Sequence, residues 1–389
     1  MKNLSLYSFM AWLPALALLS LSSCLKDGET SYLQTYSPEE YRALQRVLNL
    51  PDEQVNYKIT LPQHMTNSGV STPIIHNAKA TLGRVLFYDK QLSRNETVSC
   101  ESCHKQALAF SDNKAFSQGF NGELTRRNSL PLAAAANFVS SYGSSFSSLS
   151  IGFFWDERAH SIADQSLQTI QDDIEMGMDI NDLAARLKGQ EHYEILFRKA
   201  YGDANINSDR ITQALQEFLN AFSSNQSRFD EGLGRTLSPN MTFSNFTPQE
   251  NRGKELFLNH CSSCHGADMT RQFAALANNG LDLDYTDNGV GVRTGEPSLN
   301  GVFKVPFLRN IALTAPYMHD GRFETLEEVV EHYNSGVNNH PNLDFRLKDG
   351  NQPRQLNLSD TDKQALVAFL NTLTDEAFVS DTRFSNPFR

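Results

Sequence analysis

Two five-residue runs, Cys100-Glu101-Ser102-Cys103-His104 and Cys261-Ser262-Ser263-Cys264-His265, restrict this chain more than any other feature. Cys-x-x-Cys-His is the attachment signature of a c-type haem. Two thiols form thioethers with the porphyrin vinyl groups, and the adjacent imidazole supplies the proximal nitrogen to iron. The bland readings are a redox-active dithiol or half of a zinc site. A zinc site wants four ligands from two neighbouring pairs, and a dithiol has no need of the following His. Both runs end in His, so the spacing points to two covalently bound haems.

Four of the five cysteines lie in these runs. The fifth, Cys24, ends Leu21-Ser22-Ser23-Cys24, behind Lys2 and the apolar stretch 10–21. That length suits an export signal and is short for a membrane span. Leu-Ser-Ser-Cys looks like a bacterial lipobox, so residues 1–23 read as a lipoprotein signal peptide, cleaved before a lipidated Cys24. The alternative is an ordinary secretory signal with a chance Cys. Either way the expected location is the bacterial cell envelope, facing the periplasm or the outer surface, and the lipid at Cys24 would tether the chain to a membrane. Export fits the haem chemistry, because bacterial c-type attachment occurs outside the cytoplasmic membrane. The formal net charge of −11, without a basic run, argues against nucleic acid as a partner. It favours encounter with a basic electron donor.

Residues 24–60 read as a tether and a first helix, the latter opening at Ser37-Pro38-Glu39-Glu40 with Ser as N-cap, Pro first and Glu third. Gly83-Arg84-Val85-Leu86-Phe87 precedes the first Cys-x-x-Cys-His run, and Gly253-Lys254-Glu255-Leu256-Phe257 precedes the second. This echo suggests duplication of one helical haem-binding unit. A second capping box, Thr247-Pro248-Gln249-Glu250, opens the later copy, and Thr325-Leu326-Glu327-Glu328 opens a helix that Gly336 should close. Ser359 caps a last helix through Leu373. Apolar spacing of three and four predicts helices over 156–170, 180–188, 192–201 and 210–222. Ser140-Ser141-Tyr142-Gly143-Ser144-Ser145 reads as a loop. The fold class is therefore all-α, with two cytochrome c-like haem domains, 61–235 and 236–389, and the break near Gly232 to Asn240.

Five blocks carry a resemblance that the haem motifs alone do not. They are Leu82-Gly83-Arg84-Val85-Leu86-Phe87-Tyr88-Asp89, Phe154-Trp155-Asp156-Glu157-Arg158, Ile174-Glu175-Met176, Val305-Pro306-Phe307-Leu308-Arg309-Asn310 and Ala315-Pro316-Tyr317-Met318-His319-Asp320-Gly321. In this order, across residues 75–375, the chain resembles the bacterial di-haem cytochrome c peroxidases and their relative MauG. The resemblance implies a peroxide-reacting haem on His104 and an electron-receiving haem on His265. Gln165 and Glu175, counted from Trp155, would stand above the first iron. Glu175 would move a proton during O–O cleavage. Read from charge patterning alone, Asp172-Asp173-Ile174-Glu175 is a solvated acidic face. Trp155 would lie between the haems as a relay, a role compatible with a plain core aromatic. Glu157 stands where Gly is usual in that block.

Reductively activated members of the family block the first iron with a distal His in a Ser-x-Gly-His element. The matching stretch is Ser117-Gln118-Gly119-Phe120, and Phe cannot ligate iron, so the first haem is expected to stay open when oxidised. His76 is the rival ligand if the alignment is shifted. At the second haem the family uses Met or, in MauG, Tyr. The matching position is Tyr333, on the inward face of Leu326, Val329 and Val330, with Met318 and His332 as rivals. His319 is expected near the first haem's proximal region or the path between haems. The family also implies a calcium ion held by the Asn128 side chain and the Thr314 and Pro316 carbonyls. The function that follows is a di-haem oxidoreductase reacting with hydrogen peroxide, drawing electrons from a small cytochrome c or cupredoxin or, MauG-like, oxidising another substrate. A membrane-tethered di-haem electron carrier without peroxide turnover is the alternative.

Overall fold

The computed structural model describes residues 36–51, 54–133 and 152–389, so the expected signal peptide, Cys24 and the Ser140–Ser145 loop lie outside the described residues. The described chain is predominantly helical, as expected, with two antiparallel ladders of two-residue strands, Leu276–Ala277 with Phe303–Lys304 and Lys348–Asp349 with Gln352–Pro353. The predicted caps form. Ser37, Thr247 and Thr325 each make a reciprocal capping box with a Glu three residues on, and Ser359 accepts from the Asp362 backbone N–H. These bonds satisfy backbone donors that the first helical turn leaves orphaned.

The echo ahead of the two haem motifs has the same geometry in both copies. Helix Asn77–Tyr88 crosses Ser208–Asn220 at Gly83, where an added Cβ would stand 1.9 Å from the Ala214 carbonyl oxygen and 2.8 Å from Phe218 Cβ. Helix Pro248–His260 crosses Asp360–Asn371 at Gly253, 1.8 Å from the Ala365 oxygen and 2.8 Å from Phe369 Cβ. Each glycine lets two backbones touch; the second helix runs directly into its Cys pair, whereas the 3-10 turn Lys90–Leu92 separates the first helix from Cys100. Gly253→Ala must force the second crossing apart, at an expected ~1–3 kcal/mol. Chemical denaturation of the haem-loaded protein checks this, and an unchanged midpoint would contradict the crossing.

Two hydrophobic cores surround these crossings, and they divide the chain differently from the expected break at 235/236. Phe229 and Leu233, on helix Arg228–Thr236, pack into the second core with Phe257, Val330 and Phe369. Buried Phe378 and Phe384, near the C-terminus, return to the first core beside Phe110 and Phe222. His64 likewise crosses over, bonding Asp230 at 3.1 Å, while Arg309 makes a two-pronged ion pair with the same carboxylate. Packing between distant segments decides this partition, and no local composition shift marks it.

Two helix expectations change. The stretch 156–161 is a tight loop, and the helix there is Ile162–Gln171. A bridge between Phe153 and Ala159 and left-handed backbone at Phe154 (φ 69°) and Glu157 (φ 54°) turn the chain back on itself instead. Helix Leu326–Glu331 passes into a wider π-turn, His332–Gly336, carrying Tyr333. Among the described residues no helix is long and apolar enough to cross a membrane.

Candidate di-haem site

The two Cys pairs each occupy one helical turn, Cys100–Cys103 and Ser262–His265 with Cys261 as its cap, so the thiols of a pair share a face. All four are free and half-buried. Each motif His is oriented by a carbonyl. His104 Nδ1 lies 2.8 Å from the Phe110 oxygen and His265 Nδ1 3.2 Å from the Pro306 oxygen. A carbonyl only accepts, so Nδ1 carries the proton and Nε2 presents its lone pair. Nε2 of neither ring has a hydrogen-bond partner among the described residues. Burial lowers the pKa of His104 and brings His265 down to about 4, each opposed by its carbonyl bond, so both rings are neutral at ordinary pH. Two neighbouring thiols free of disulfides and one neutral imidazole with a free Nε2 are what a c-type haem needs, and both motifs fit it.

Glu175 stands beside the first motif: burial raises the pKa of both Cys100 and Cys103, and the Glu175 charge adds a smaller push in the same direction. Burial, aided by the nearby Asp172, pushes its own carboxyl up to about 7, while a hydrogen bond from Thr169 opposes that shift. Gln165 Nε2 donates to the same Thr169 hydroxyl at 3.1 Å. Gln165 and Glu175 are therefore joined through Thr169, a link the sequence did not suggest. The loop Ser117–Phe120 closes over this segment. An added Cβ at Gly119 would sit 1.7 Å from the Ile174 oxygen, and Phe120 N–H donates to the Glu175 carbonyl at 3.0 Å. Phe120 is buried with its ring over Gly177. The rival His76 is exposed and pairs with Glu217 at 2.7 Å.

Trp155 is buried at the centre of a bonded path joining the two motif histidines. Its indole N–H donates to the Asn128 carbonyl at 2.8 Å. The next residue, Ser129, donates its hydroxyl to the Cys103 carbonyl and lies 3.3 Å from His104 Nδ1. On the other side, Lys304 N–H donates to the Trp155 carbonyl at 2.7 Å, and two residues on is Pro306, the acceptor for His265. His319 stacks on Phe303 with centroids 3.8 Å apart, and its carbonyl accepts from Asn128 N–H at 2.8 Å. The Asn128 side chain donates to the Lys114 and Ala115 carbonyls. Its Oδ1 and the carbonyls of Thr314 and Pro316 accept no hydrogen bond among the described residues.

Tyr333 lies by Cys261 and Cys264 of the second motif. Burial pushes its phenol up to about 12, with the Asn279 side chain opposing. Asn279 Nδ2 also donates to Met318 Sδ at 3.4 Å, and the Asn279 carbonyl accepts from His332 Nε2 at 3.0 Å. Asn279 thus touches all three rival ligands, and nothing in the sequence pattern singled it out.

A helical fold with two Cys-x-x-Cys-His turns, each followed by an open imidazole Nε2, defines a di-haem c-type protein. Residues 77–238 match the family described as di-haem cytochrome c peroxidase, and residues 250–374 match cytochrome c. The chain is 32% identical over 306 residues to the methylamine utilization protein MauG of Methylorubrum extorquens, covering 77% of this chain and 78% of that protein. It is 30% identical over 302 residues to cytochrome c551 peroxidase of Nitrosomonas europaea, covering 76% and 80%. Among solved structures, a MauG-like protein associated with microbial copper homeostasis aligns with a TM-score of 0.65 at 32% identity, covering 86% of this chain and 98% of that one. The chain belongs to the di-haem cytochrome c peroxidase and MauG family, and it is an oxidoreductase of that type with two c-type haem sites.

Proposed function

We propose that the chain reduces hydrogen peroxide at the haem of the His104 motif, with electrons supplied through the haem of the His265 motif. When bound, the first haem supplies the iron that takes peroxide and accepts the oxidising equivalents released by O–O cleavage. The observation that carries the proposal is the Glu175 carboxyl, with a pKa of about 7, beside Cys100 and Cys103. A carboxyl titrating there takes a proton from one peroxide oxygen and returns it to the other, which leaves as water. Gln165, tied to the same Thr169, orients the substrate without titrating. Phe120, packed on Gly177, has no atom that could ligate iron, so it would not block a haem held by the first motif. Trp155 relays electrons along the path between the two imidazoles.

Tyr333 is the proposed ligand of the second iron. His332 has its Nε2 engaged with the Asn279 carbonyl, which favours Tyr333 over it. Phe120 and Tyr333 lean toward MauG-like chemistry, in which the oxidising equivalents pass to another substrate. A small cytochrome c or cupredoxin is the donor proposed for the peroxidase outcome. Turnover of peroxide by haem-loaded protein with such a donor in its reduced form tests the reading, and no peroxide-dependent donor oxidation would contradict it. A calcium ion between Asn128 Oδ1 and the Thr314 and Pro316 carbonyls, and a lipid anchor at Cys24 in the cell envelope, complete the proposal. Mass and metal analysis of protein purified from membranes checks both, the expected result being one bound calcium and a lipidated Cys24.

A further inference from the structure

We propose that the buried Glu157–Lys304 ion pair is a positioning device for Trp155, and that it sets the rate at which electrons are shared between the two haems. It builds on the relay role proposed above for Trp155. Glu157 is 1% exposed and Lys304 5%, and Nζ lies 2.8 Å from Oε1. Glu157 also holds φ 54°, a conformation that Gly adopts freely and a long side chain does not. A buried pair of this kind adds little net stability over an apolar pair of similar shape. Its distinct effect here is geometric.

Lys304 grips one loop at three points. Its ammonium donates to the Gly152 carbonyl at 2.9 Å and to Glu157, and its backbone N–H donates to the Trp155 carbonyl. These contacts bracket Trp155 in the chain, while the indole N–H is fixed at its far end by Asn128. Gly152 sits so close to Glu157 that an added Cβ would meet the Glu157 oxygen at 2.5 Å, which closes the loop on itself. Lys304 belongs to the strand leading to Pro306, the acceptor for His265. One side chain therefore ties the Trp155 loop to the segment that orients the second motif's imidazole. Removing the pair frees the loop at both ends without touching any proposed iron ligand.

The test uses the di-haem protein in its mixed-valence form, with carbon monoxide on the reduced first haem. A laser flash releases the carbon monoxide, and electron redistribution to the oxidised second haem is followed optically. E157G/K304M removes both charges and relieves the backbone at 157; sharing should slow by roughly an order of magnitude, as misplacement of a coupled group does. Carbon monoxide rebinding and the EPR signals of both haems should match wild type. E157D keeps the charge pair and should restore sharing. If the double variant does not assemble, E157Q/K304M, which keeps the side-chain volume at 157 and still removes both charges, takes its place with the same expectation. Sharing at the wild-type rate in the neutral variants would overturn the proposal. Trp155→Phe separates the two levels: if it leaves sharing unchanged, the relay reading itself fails and takes the positioning role with it. If it slows sharing and the neutral variants do not, only the ion pair's role falls.

Discussion

Replacing Glu175 by Gln lowers the rate of reaction with peroxide by roughly 10²- to 10⁴-fold, the span a positioned acid–base group contributes. Gln preserves the size of the side chain and can still bond Thr169, so the loss isolates the titrating proton. Burial raises the Glu175 pKa to about 7. The base form is therefore minor below that pH and dominant above it. In wild type the peroxide rate should climb as pH rises through about 7 and then level off. The variant should lack this inflection. Stopped-flow measurements across that range check both, and a wild-type rate in Glu175→Gln would remove Glu175 from the chemistry.

Tyr333→Phe should change the ligation and the potential of the second haem while leaving its attachment at Cys261, Cys264 and His265 intact. An anionic oxygen ligand favours the oxidised iron, whereas a thioether raises the potential. With the phenol gone, Met318 is the remaining candidate whose donor atom is not held by a backbone group, its sulfur lying 3.4 Å from Asn279 Nδ2. His332 stays tied to the Asn279 carbonyl. The second haem should then take on methionine character, with a potential higher by on the order of 0.1 V or more. Redox titration followed by optical and EPR spectra reads this directly. An unchanged second-haem spectrum would exclude Tyr333 as a ligand.

The features readable from sequence were those fixed by short-range rules. The Cys-x-x-Cys-His turns, the capping boxes at Ser37, Thr247 and Thr325, and the glycine echo before each motif depend on residues within a few positions of one another. The echo proved to be a repeated backbone crossing, because only Gly admits contacts as close as those at Gly83 and Gly253. Charge patterning alone reads Glu175 as part of a solvated acidic face, whereas the family blocks single it out; the Ser117–Phe120 loop, more than fifty residues away in the chain, packs on its segment. Residues 156–161 have helical apolar spacing, yet the loop folds back with Phe154 and Glu157 left-handed. Lys304 offered one signal, a lone cation inside the apolar run Val302-Phe303-Lys304-Val305. Asn279 offered none, since its importance lies in three contacts to residues 39 to 54 positions away. The return of Phe378 and Phe384 to the first core is likewise a long-range packing choice.

The most direct test of the central claim is optical and EPR spectroscopy of the fully oxidised, haem-loaded protein, before and after one equivalent of hydrogen peroxide, without prior reduction. Phe120 in place of a distal His predicts a high-spin first haem that reacts at once. Two low-spin haems that ignore peroxide, and still ignore it after one is reduced, would contradict the account and leave an electron carrier.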